Sequence, residues 1–437
     1  MTPKLPETEA SFVDWFRSAA PYIHAFRGKT FVIAFGGDAM LRSDFVDLIH
    51  DVNLLNALGV RLVLVHGVRP QVEERLSGEA QYVRGRRVTD GETLEHVKDA
   101  VGSVRVDIES LLSIGLPNTP MAGAEIRVAS GNFVTARPMG VLDGVDLQFT
   151  GEVRKVAADA INARLADGEI VLLSPLGYSP TGEVFNLTLE EVATEAAIAL
   201  KAEKLLFLLD HGDTVDEKGR RLNQLTVAEA QKVIKRLPEG DMALYLPYAA
   251  KACKAGVQRA HLVSADVDGA LLMELFTHEG VGTLVTALPV ETLRPATIDD
   301  VGGVLQLIEP LEEAGVLVRR SRELLEQEIE QFFVDDLDGR IVGCAALYPF
   351  VGERAGEMAC LAVHPDFRDS GRGEALFKAV EAAAKAAKLK RLFVLTTRTA
   401  HWFIERGFSP ATPDDLPAAR KELYNWQRRS KVFVKAI

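Results

Sequence analysis

The run Arg368-Asp369-Ser370-Gly371-Arg372-Gly373 has the composition of an anion cradle. Its two glycines let the backbone approach a bound group as a side chain would not. Behind them Ala375, Leu376, Ala379, Val380, Ala383 and Ala384 fall at helical spacing. Successive N–H groups at a helix N-terminus, aided by the helix dipole, favour a phosphate or pyrophosphate. In front of the loop, Glu357 through Val363 has strand character and ends in His364-Pro365, so residues 357–385 read strand, glycine loop, helix. An ordinary surface turn before an amphipathic helix would show the same fragment. A second strand, Arg391 to Leu395, followed by Ala400-His401-Trp402-Phe403-Ile404-Glu405-Arg406-Gly407-Phe408, narrows the choice.

That ordered pair resembles two consecutive motifs of the GCN5-related N-acetyltransferase fold, and the resemblance implies acetyl-CoA as co-substrate. Acetyl transfer to an amine needs a neutral nucleophile, a thioester held nearby, donors for the developing oxyanion and an acid for the leaving thiolate. In this fold the strand before the loop splays from its neighbour. The resemblance therefore implies that backbone groups of Cys360, Leu361, Ala362 and Val363 meet pantetheine and the thioester oxygen, and that residues Arg368, Asp369, Ser370, Gly371, Arg372 and Gly373 hold the diphosphate. Glu357, three residues before Cys360, points into the cleft if strand alternation holds, and its carboxylate would take the ammonium proton directly or through water. The plain alternative is an exposed strand glutamate. Relatives place a tyrosine after the fifth strand, where this chain has His401-Trp402-Phe403. Thr396, Thr397 or water must then serve as the acid, with Thr396 the first choice.

A chain of 437 residues predicts two or three domains, since single cores stop growing near roughly 250–300 residues. Apolar residues at 47% and charged residues at 26% are ordinary for a globular chain. The formal charge, 50 − 62 = −12, excludes bulk electrostatic affinity for nucleic acid or anionic membrane, so any anion site must be local. Cys253, Cys344 and Cys360 are too few and too scattered for a disulfide framework and show no metal-ligand spacing. No signal pattern or bilayer-length apolar run occurs, and the expectation is a cytoplasmic protein without a metal.

Ahead of the first strand, Phe12, Trp15, Phe16, Ala19, Ile23 and Phe26 share a helical face, and Pro21 should bend or end that helix. Residues 1–27 read as a helical arm, packed on its own domain or docked on a neighbouring subunit. From Thr30 apolar strands alternate with helical patterns, which predicts an α/β domain over 28–285 with a largely parallel sheet. Glycines at Gly36-Gly37 and Gly67 sit at strand ends before helices. The block resembles the amino-acid kinase fold, and acetylglutamate kinase most closely. FGGDAM (Phe35 to Met40), VHGVRPQV (Val65 to Val72), GRRVTD (Gly85 to Asp90), LKAEKLLFLLD (Leu200 to Asp210) and ELFTHEGVGT (Glu274 to Thr283) carry the resemblance.

The departures from that family decide the chemistry. Ala34 stands where the kinases carry a phosphate-stabilising lysine, Gly67-Val68-Arg69 replaces a triple glycine, Asn186 to Glu190 replaces Asn-Ile-Asn-Ala-Asp, and Tyr245 aligns with the second catalytic lysine. Phosphoryl transfer depends on positioning and charge neutralisation, so no kinase activity is expected. Arginine-inhibited relatives resemble this chain at Lys204, His261, Glu274, Gly280 and Gly282, which implies an L-arginine site there. Taken singly, Glu274 also reads as a solvated helix charge and His261 as structural.

Residues 286–297, bracketed by Pro289 and Pro295, read as a linker to a domain over 298–437. That domain opens with helices at Asp299 to Glu313 and Ser321 to Ile329, and Asp338-Gly339 turns a hairpin. Two arginine groups far apart in sequence, Arg319-Arg320 on one side and Arg420 with Arg428-Arg429 on the other, supply the two clamps that a dicarboxylic amino acid needs; any one of them also reads as a surface arginine, Arg320 and Arg429 above all. With LYNWQRRSKVF at Leu423 to Phe433, nearly the whole chain resembles the bacterial N-acetylglutamate synthase family. The resemblance implies L-glutamate as acceptor, direct transfer in a ternary complex, feedback inhibition by L-arginine and a homo-hexamer. It matches Arg319, Arg428 and Ser430 to the glutamate-binding positions, Leu317 and Cys360 to backbone contacts, and Glu357 to the base. The alternatives are an acetylglutamate kinase or bifunctional kinase-synthase, and a non-catalytic arginine sensor.

Overall fold

The computed structural model describes residues 7–76, 80–210, 222–277, 280–287, 291–337, 340–368, 371–424 and 430–437. They form two compact units, Met1–Leu288 and Pro289–Ile437.

In the first unit a helix α1 (Glu7–Phe26) precedes β1 (Thr30–Phe35), α2 (Phe45–Ala57), β2 (Arg61–His66), α3 (Arg69–Arg75), α4 (Gly91–Leu112), β3 (Val128–Ser130), α5 (Ala158–Ala166), β4 (Ile170–Leu173), α6 (Leu189–Ala199) and β5 (Lys204–Leu209). There follow β6 (Gln224–Thr226), α7 (Val227–Ile234), α8 (Asp241–Lys254), β7 (Arg259–Ser264), α9 (Ala270–Phe276) and β8 (Thr283–Thr286). The eight strands form one sheet in the order β6-β8-β7-β5-β1-β2-β4-β3. Every pair is parallel except β7 with β8. The central strands are apolar throughout because both faces are covered. Alternate residues of β1 feed different cores, Val32 and Ala34 on one side and Phe31, Ile33 and Phe35 on the other.

Helix α1 runs through Pro21 instead of ending there. A proline in a helix removes one backbone bond, and the turn beyond it is held by tertiary contact: Phe26 lies 5.2 Å from Phe31 of β1 and 5.7 Å from Phe276 of α9, centroid to centroid. Besides the short β6 and α9, two larger pieces were not foreseen from the sequence. One is α8, which carries Pro247 in its interior. The other is a four-stranded sheet of Val134–Pro138, Gly151–Val156, Leu176–Tyr178 and Val184–Asn186.

The second unit contains β9 (Glu291–Pro295), α10 (Val301–Glu313), α11 (Arg322–Glu328), β10 (Phe332–Leu337), β11 (Arg340–Phe350), β12 (Ala355–Val363), α12 (Arg372–Ala386), β13 (Arg391–Thr396), α13 (Ala400–Ile404), β14 (Ser409–Ala411), α14 (Ala418–Glu422) and β15 (Lys431–Ala436). Its sheet runs β9-β10-β11-β12-β13-β15-β14. Residues 286–297, expected as a linker, thus include an edge strand that pairs antiparallel with β10. Pro295 is tolerated because it closes that strand at the sheet edge. Ser321 caps α11 by accepting from Leu324 N at 3.2 Å, as its position before the helical pattern predicts. The Asp338-Gly339 turn lies outside the described residues. Among those described, no helix is long and apolar enough to cross a membrane.

Candidate active site

Strands β12 and β13 run parallel and pair only from Ala355–Arg391 to Glu357–Phe393. Beyond Glu357, β12 stays paired with β11 on its other edge while β13 continues along β15. The sheet therefore forks, and among the described residues no strand pairs with the edge of β12 from Met358 to Val363 on the fork side. Cys360 sits at the fork with φ +55°, at the irregularity in register between Cys344 and Ala346 of β11. Such a bulge strengthens twist and re-aims backbone groups. The carbonyl of Cys360 accepts from Cys344 Sγ at 3.4 Å. Leu361, Ala362 and Val363 follow on the open edge.

The fork leads into the glycine loop. Gly371 takes φ +82° and serves as the N-cap of α12 without any side-chain cap, so the first-turn amides of this 15-residue helix remain available to an anion. Gly373 lies in that first turn, and Arg368 is exposed. Asp369 and Ser370 lie outside the described residues. Arg372 departs from expectation. Its guanidinium donates to buried Asp335 at 2.8 Å and stands 5.3 Å from the Phe367 ring centroid, which commits the side chain to the sheet and leaves its backbone to the loop.

Glu357 is buried at 7% exposure, opposite Tyr348 and Phe393. Both of its oxygens accept from Arg420, Oε2 from Nε at 2.6 Å and Oε1 from Nη2 at 3.0 Å. The bidentate pair joins the expected base to an arginine read as a substrate clamp, so Arg420 is not free for that clamp while the pair holds. Extending the parallel register by three residues sets Thr396 level with Cys360 across the fork. The Thr396 hydroxyl accepts from the amides of Arg398 (3.3 Å) and Thr399 (3.1 Å) and shares a bond of 2.9 Å with Thr399 Oγ1.

Ser430 is buried beside β15, and its carbonyl accepts from Tyr424 Oη at 2.7 Å. Arg428 and Arg429 lie outside the described residues. Leu317 packs against the core under α10, and its N–H donates to Leu311 O at 3.1 Å, which leaves only its carbonyl for a ligand. Arg319 is exposed, whereas Arg320, set aside in the sequence, turns inward beside Cys360 and Tyr348. Tyr348 Oη donates to Glu328 at 2.6 Å, and burial pushes its phenol up. Sequence reasoning missed this Arg320, Tyr348 and Glu328 group, since nothing separates Arg320 from Arg319 before the chain is folded.

In the first unit, all five residues of the expected arginine site come together. Lys204 Nζ lies 3.2 Å from His261 Nε2, His261 Nδ1 lies 2.6 Å from Glu274 Oε1, and the amides of Val281 and Gly282 both donate to Glu274 Oε2 at 2.7 Å. All three side chains are buried. Burial drops the Lys204 ammonium to about 7 and the His261 imidazole to about 4. Burial alone would raise the Glu274 carboxyl, but His261 and the two amides outweigh it and hold the group below its usual range. Gly280 (φ +59°) is needed here, because a Cβ would stand 2.5 Å from Glu274 Oε2. The roof is Phe26 of α1, whose ring centroid is 5.1 Å from Lys204 Nζ. Ala34 and Tyr245 are buried in one apolar core, Tyr245 stacked on Phe207 at 5.0 Å.

Comparison with known proteins agrees with both units. The Amino acid kinase family matches residues 29–264, and the Acetyltransferase (GNAT) family matches residues 303–408. An amino-acid acetyltransferase of Ralstonia nicotianae is 55% identical over 100% of this chain and 97% of its own length. The crystal structure of N-acetylglutamate synthase from Neisseria gonorrhoeae complexed with coenzyme A and L-arginine has a TM-score of 0.90 at 36% identity, covering 98% of this chain and 99% of that one. The same Neisseria enzyme complexed with coenzyme A and N-acetyl-glutamate gives a TM-score of 0.63 at 37% identity, covering 97% and 99%. The chain belongs to the amino-acid acetyltransferases, built as an amino-acid kinase fold followed by a GNAT acetyltransferase fold.

Proposed function

We propose that this protein makes N-acetyl-L-glutamate from acetyl-CoA and L-glutamate by direct transfer in a ternary complex, as the first step of arginine biosynthesis, with L-arginine as feedback inhibitor. The observation that carries the reading is the fork of β12 from β13 beyond Glu357, leading into the uncapped N-terminus of α12. An extended acyl carrier suits the unpaired edge at Cys360 to Val363, and its diphosphate suits the amides from Gly371 onward. Acetyl-CoA supplies the activated acyl group; every other role falls to this chain. The coenzyme and ligand complexes of the Neisseria enzyme support the same assignment.

Glu357 takes a proton from the ammonium of bound glutamate, so that the free amine can attack the thioester carbon while the carbon–sulfur bond breaks. Arg420 fixes the Glu357 carboxylate in place beforehand. Backbone donors at the Cys360 bulge face the oxyanion, and Thr396, level with Cys360, is placed to return a proton to the thiolate. Arg319, Arg428 and Ser430, with backbone groups of Leu317 and Cys360, hold the two glutamate carboxylates. In the first unit, Glu274 and the Gly280–Gly282 backbone receive arginine, with Lys204 and His261 beneath.

The working domains are an arm over 1–27, a kinase-like regulatory domain over 28–285 and the acetyltransferase domain over 298–437, preceded by the β9 strand. Exposed Phe12, Trp15 and Phe16 on α1 support docking of the arm on a second copy, and hence a homo-oligomer, with a hexamer as the expected state. Three buried free cysteines suit the reducing cytoplasm.

Thiol release measured with glutamate, acetyl-CoA and an arginine titration tests the reading. Glutamate-dependent release that arginine suppresses is expected. Absence of release would leave an arginine sensor, and ATP-dependent phosphorylation of N-acetylglutamate would restore the kinase.

A further inference from the structure

Glu374 is the third residue of α12, whose N-cap is Gly371. At that spacing a glutamate reaches back, accepts from the N-cap amide and closes the helix end. The chain uses this device elsewhere: Glu229 accepts from Thr226 N at 2.8 Å, Asp300 from Thr297 N at 2.7 Å and Asp415 from Thr412 N at 2.8 Å. At α12 the acid is turned away. Glu374 Oε2 accepts from Arg406 Nε at 2.5 Å, and among the described residues no bond joins it to the Gly371 amide.

Arg406, two residues beyond α13, is fixed independently of its acid. Its guanidinium carbon lies 3.7 Å from the ring centroid of Trp402, and Nη1 donates to the Trp402 carbonyl at 2.8 Å. Trp402 in turn meets Phe377 of α12 edge-on at 6.3 Å, and its Cζ2 lies 3.5 Å from where a Cβ on Gly373 would stand. A planar guanidinium stacked and bonded in this way is held in one orientation. The second cation near Glu374 is Lys378, at 3.6 Å with 69% of its side chain exposed, and exposed pairs contribute little. Arg406 therefore decides where the Glu374 carboxylate goes.

The consequence falls on the coenzyme. A diphosphate and a capping carboxylate compete for the same amides and the same positive helix end, and like charges set side by side also repel. Released from Arg406, Glu374 is free to close the capping bond to Gly371. Given the diphosphate placement proposed above, on which this role rests, we propose that Arg406 is a positioning residue for acetyl-CoA: it withdraws Glu374 from the N-terminus of α12 and so keeps that end open for the diphosphate.

Coenzyme A titrated calorimetrically into the full-length protein, with steady-state kinetics alongside, tests the role. Arg406→Ala is expected to weaken coenzyme A binding and raise the KM for acetyl-CoA by about tenfold or more, with kcat and the KM for glutamate nearly unchanged. Adding Glu374→Ala to Arg406→Ala is expected to restore wild-type affinity, which loss of a merely structural ion pair would not allow. Unchanged binding in Arg406→Ala, or a double variant as weak as Arg406→Ala, would overturn the proposal. Should Arg406→Ala unfold, Glu374→Ala alone still decides: binding at least as tight as in the wild type is expected, and about a tenfold loss overturns it. Gly371→Val separates the two layers. Weak binding there beside normal binding in Arg406→Ala removes the Arg406 role alone, whereas normal binding in both moves the diphosphate away from α12 altogether.

Discussion

Arg420 of α14 grips both carboxylate oxygens of Glu357 on β12, at 2.6 and 3.0 Å, across 63 residues of sequence. The pair places a short C-terminal helix in control of the proposed base. Glu357→Gln should lower kcat for glutamate acetylation by about 10²- to 10⁴-fold while leaving the KM for acetyl-CoA nearly unchanged. Arg420→Ala should also destabilise the second unit by about 1.5–3 kcal/mol, because it strips charged hydrogen bonds from a buried carboxylate. Steady-state thiol release and urea unfolding of the two variants measure both effects. A Glu357→Gln enzyme with wild-type kcat would remove Glu357 from the chemistry.

At the glycine loop, Gly371 adopts φ +82° where it caps α12. An L-residue forced into that conformation costs about 1–2 kcal/mol. Gly371→Val is expected to raise the KM for acetyl-CoA tenfold or more with a smaller change for glutamate. Coenzyme A binding by calorimetry gives the same answer without turnover, and unchanged affinity would place the diphosphate elsewhere.

Lys204 and His261 make the first unit pH-sensitive in a defined direction. Burial lowers the folded Lys204 pKa from 10.5 to about 7, so between those values the unfolded chain binds more protons and stability rises with pH. Lys204 contributes fully above about 10.5, and its contribution is lost as pH falls to about 7. His261, lowered from 6.5 to about 4, adds a second loss as pH falls through that interval. Denaturation midpoints at pH 7 and pH 9 should differ in the wild type and converge in Lys204→Met. A wild-type midpoint that falls between pH 7 and 9, with Lys204→Met falling less, would contradict the assignment.

Glu274 is saturated by His261 and by the amides of Val281 and Gly282, so a guanidinium must displace or share those partners. In Gly280→Ala the new methyl group would lie 2.5 Å from Glu274 Oε2, and the φ of +59° is itself unfavourable for alanine. The arginine concentration for half inhibition should rise more than tenfold. An unchanged arginine titration would move the effector site away from this loop.

Much of this was legible in local pattern. The apolar strands β1, β2 and β5, the helix behind Gly371 and the cap at Ser321 follow from residue type and spacing, whereas the gathering of Lys204, His261 and Glu274 was implied only by the resemblance to arginine-inhibited relatives. Other features answer to tertiary packing and leave no local trace. The left-handed Cys360 is one, since cysteine does not signal a positive φ and the bulge arises from register against β11. Pro295 suggested a linker because a proline argues against a strand, yet an edge strand that ends at the proline loses nothing. Pro247 hid α8 in the same way. The Glu357 and Arg420 pair was split between two roles because no spacing rule connects residues so distant in sequence.

The bare margin of β12 beyond Met358 is also a template. Any extended polypeptide with suitable side chains can lay its amides and carbonyls along such a margin. Seated as proposed, the co-substrate would double as a guard, capping backbone that would otherwise recruit neighbouring chains, and preparations saturated with it should then resist clumping better than bare ones. Short β-strand mimetics seated along Cys360 to Val363 would compete with the acyl carrier and give a route to inhibitors that owe nothing to nucleotide recognition.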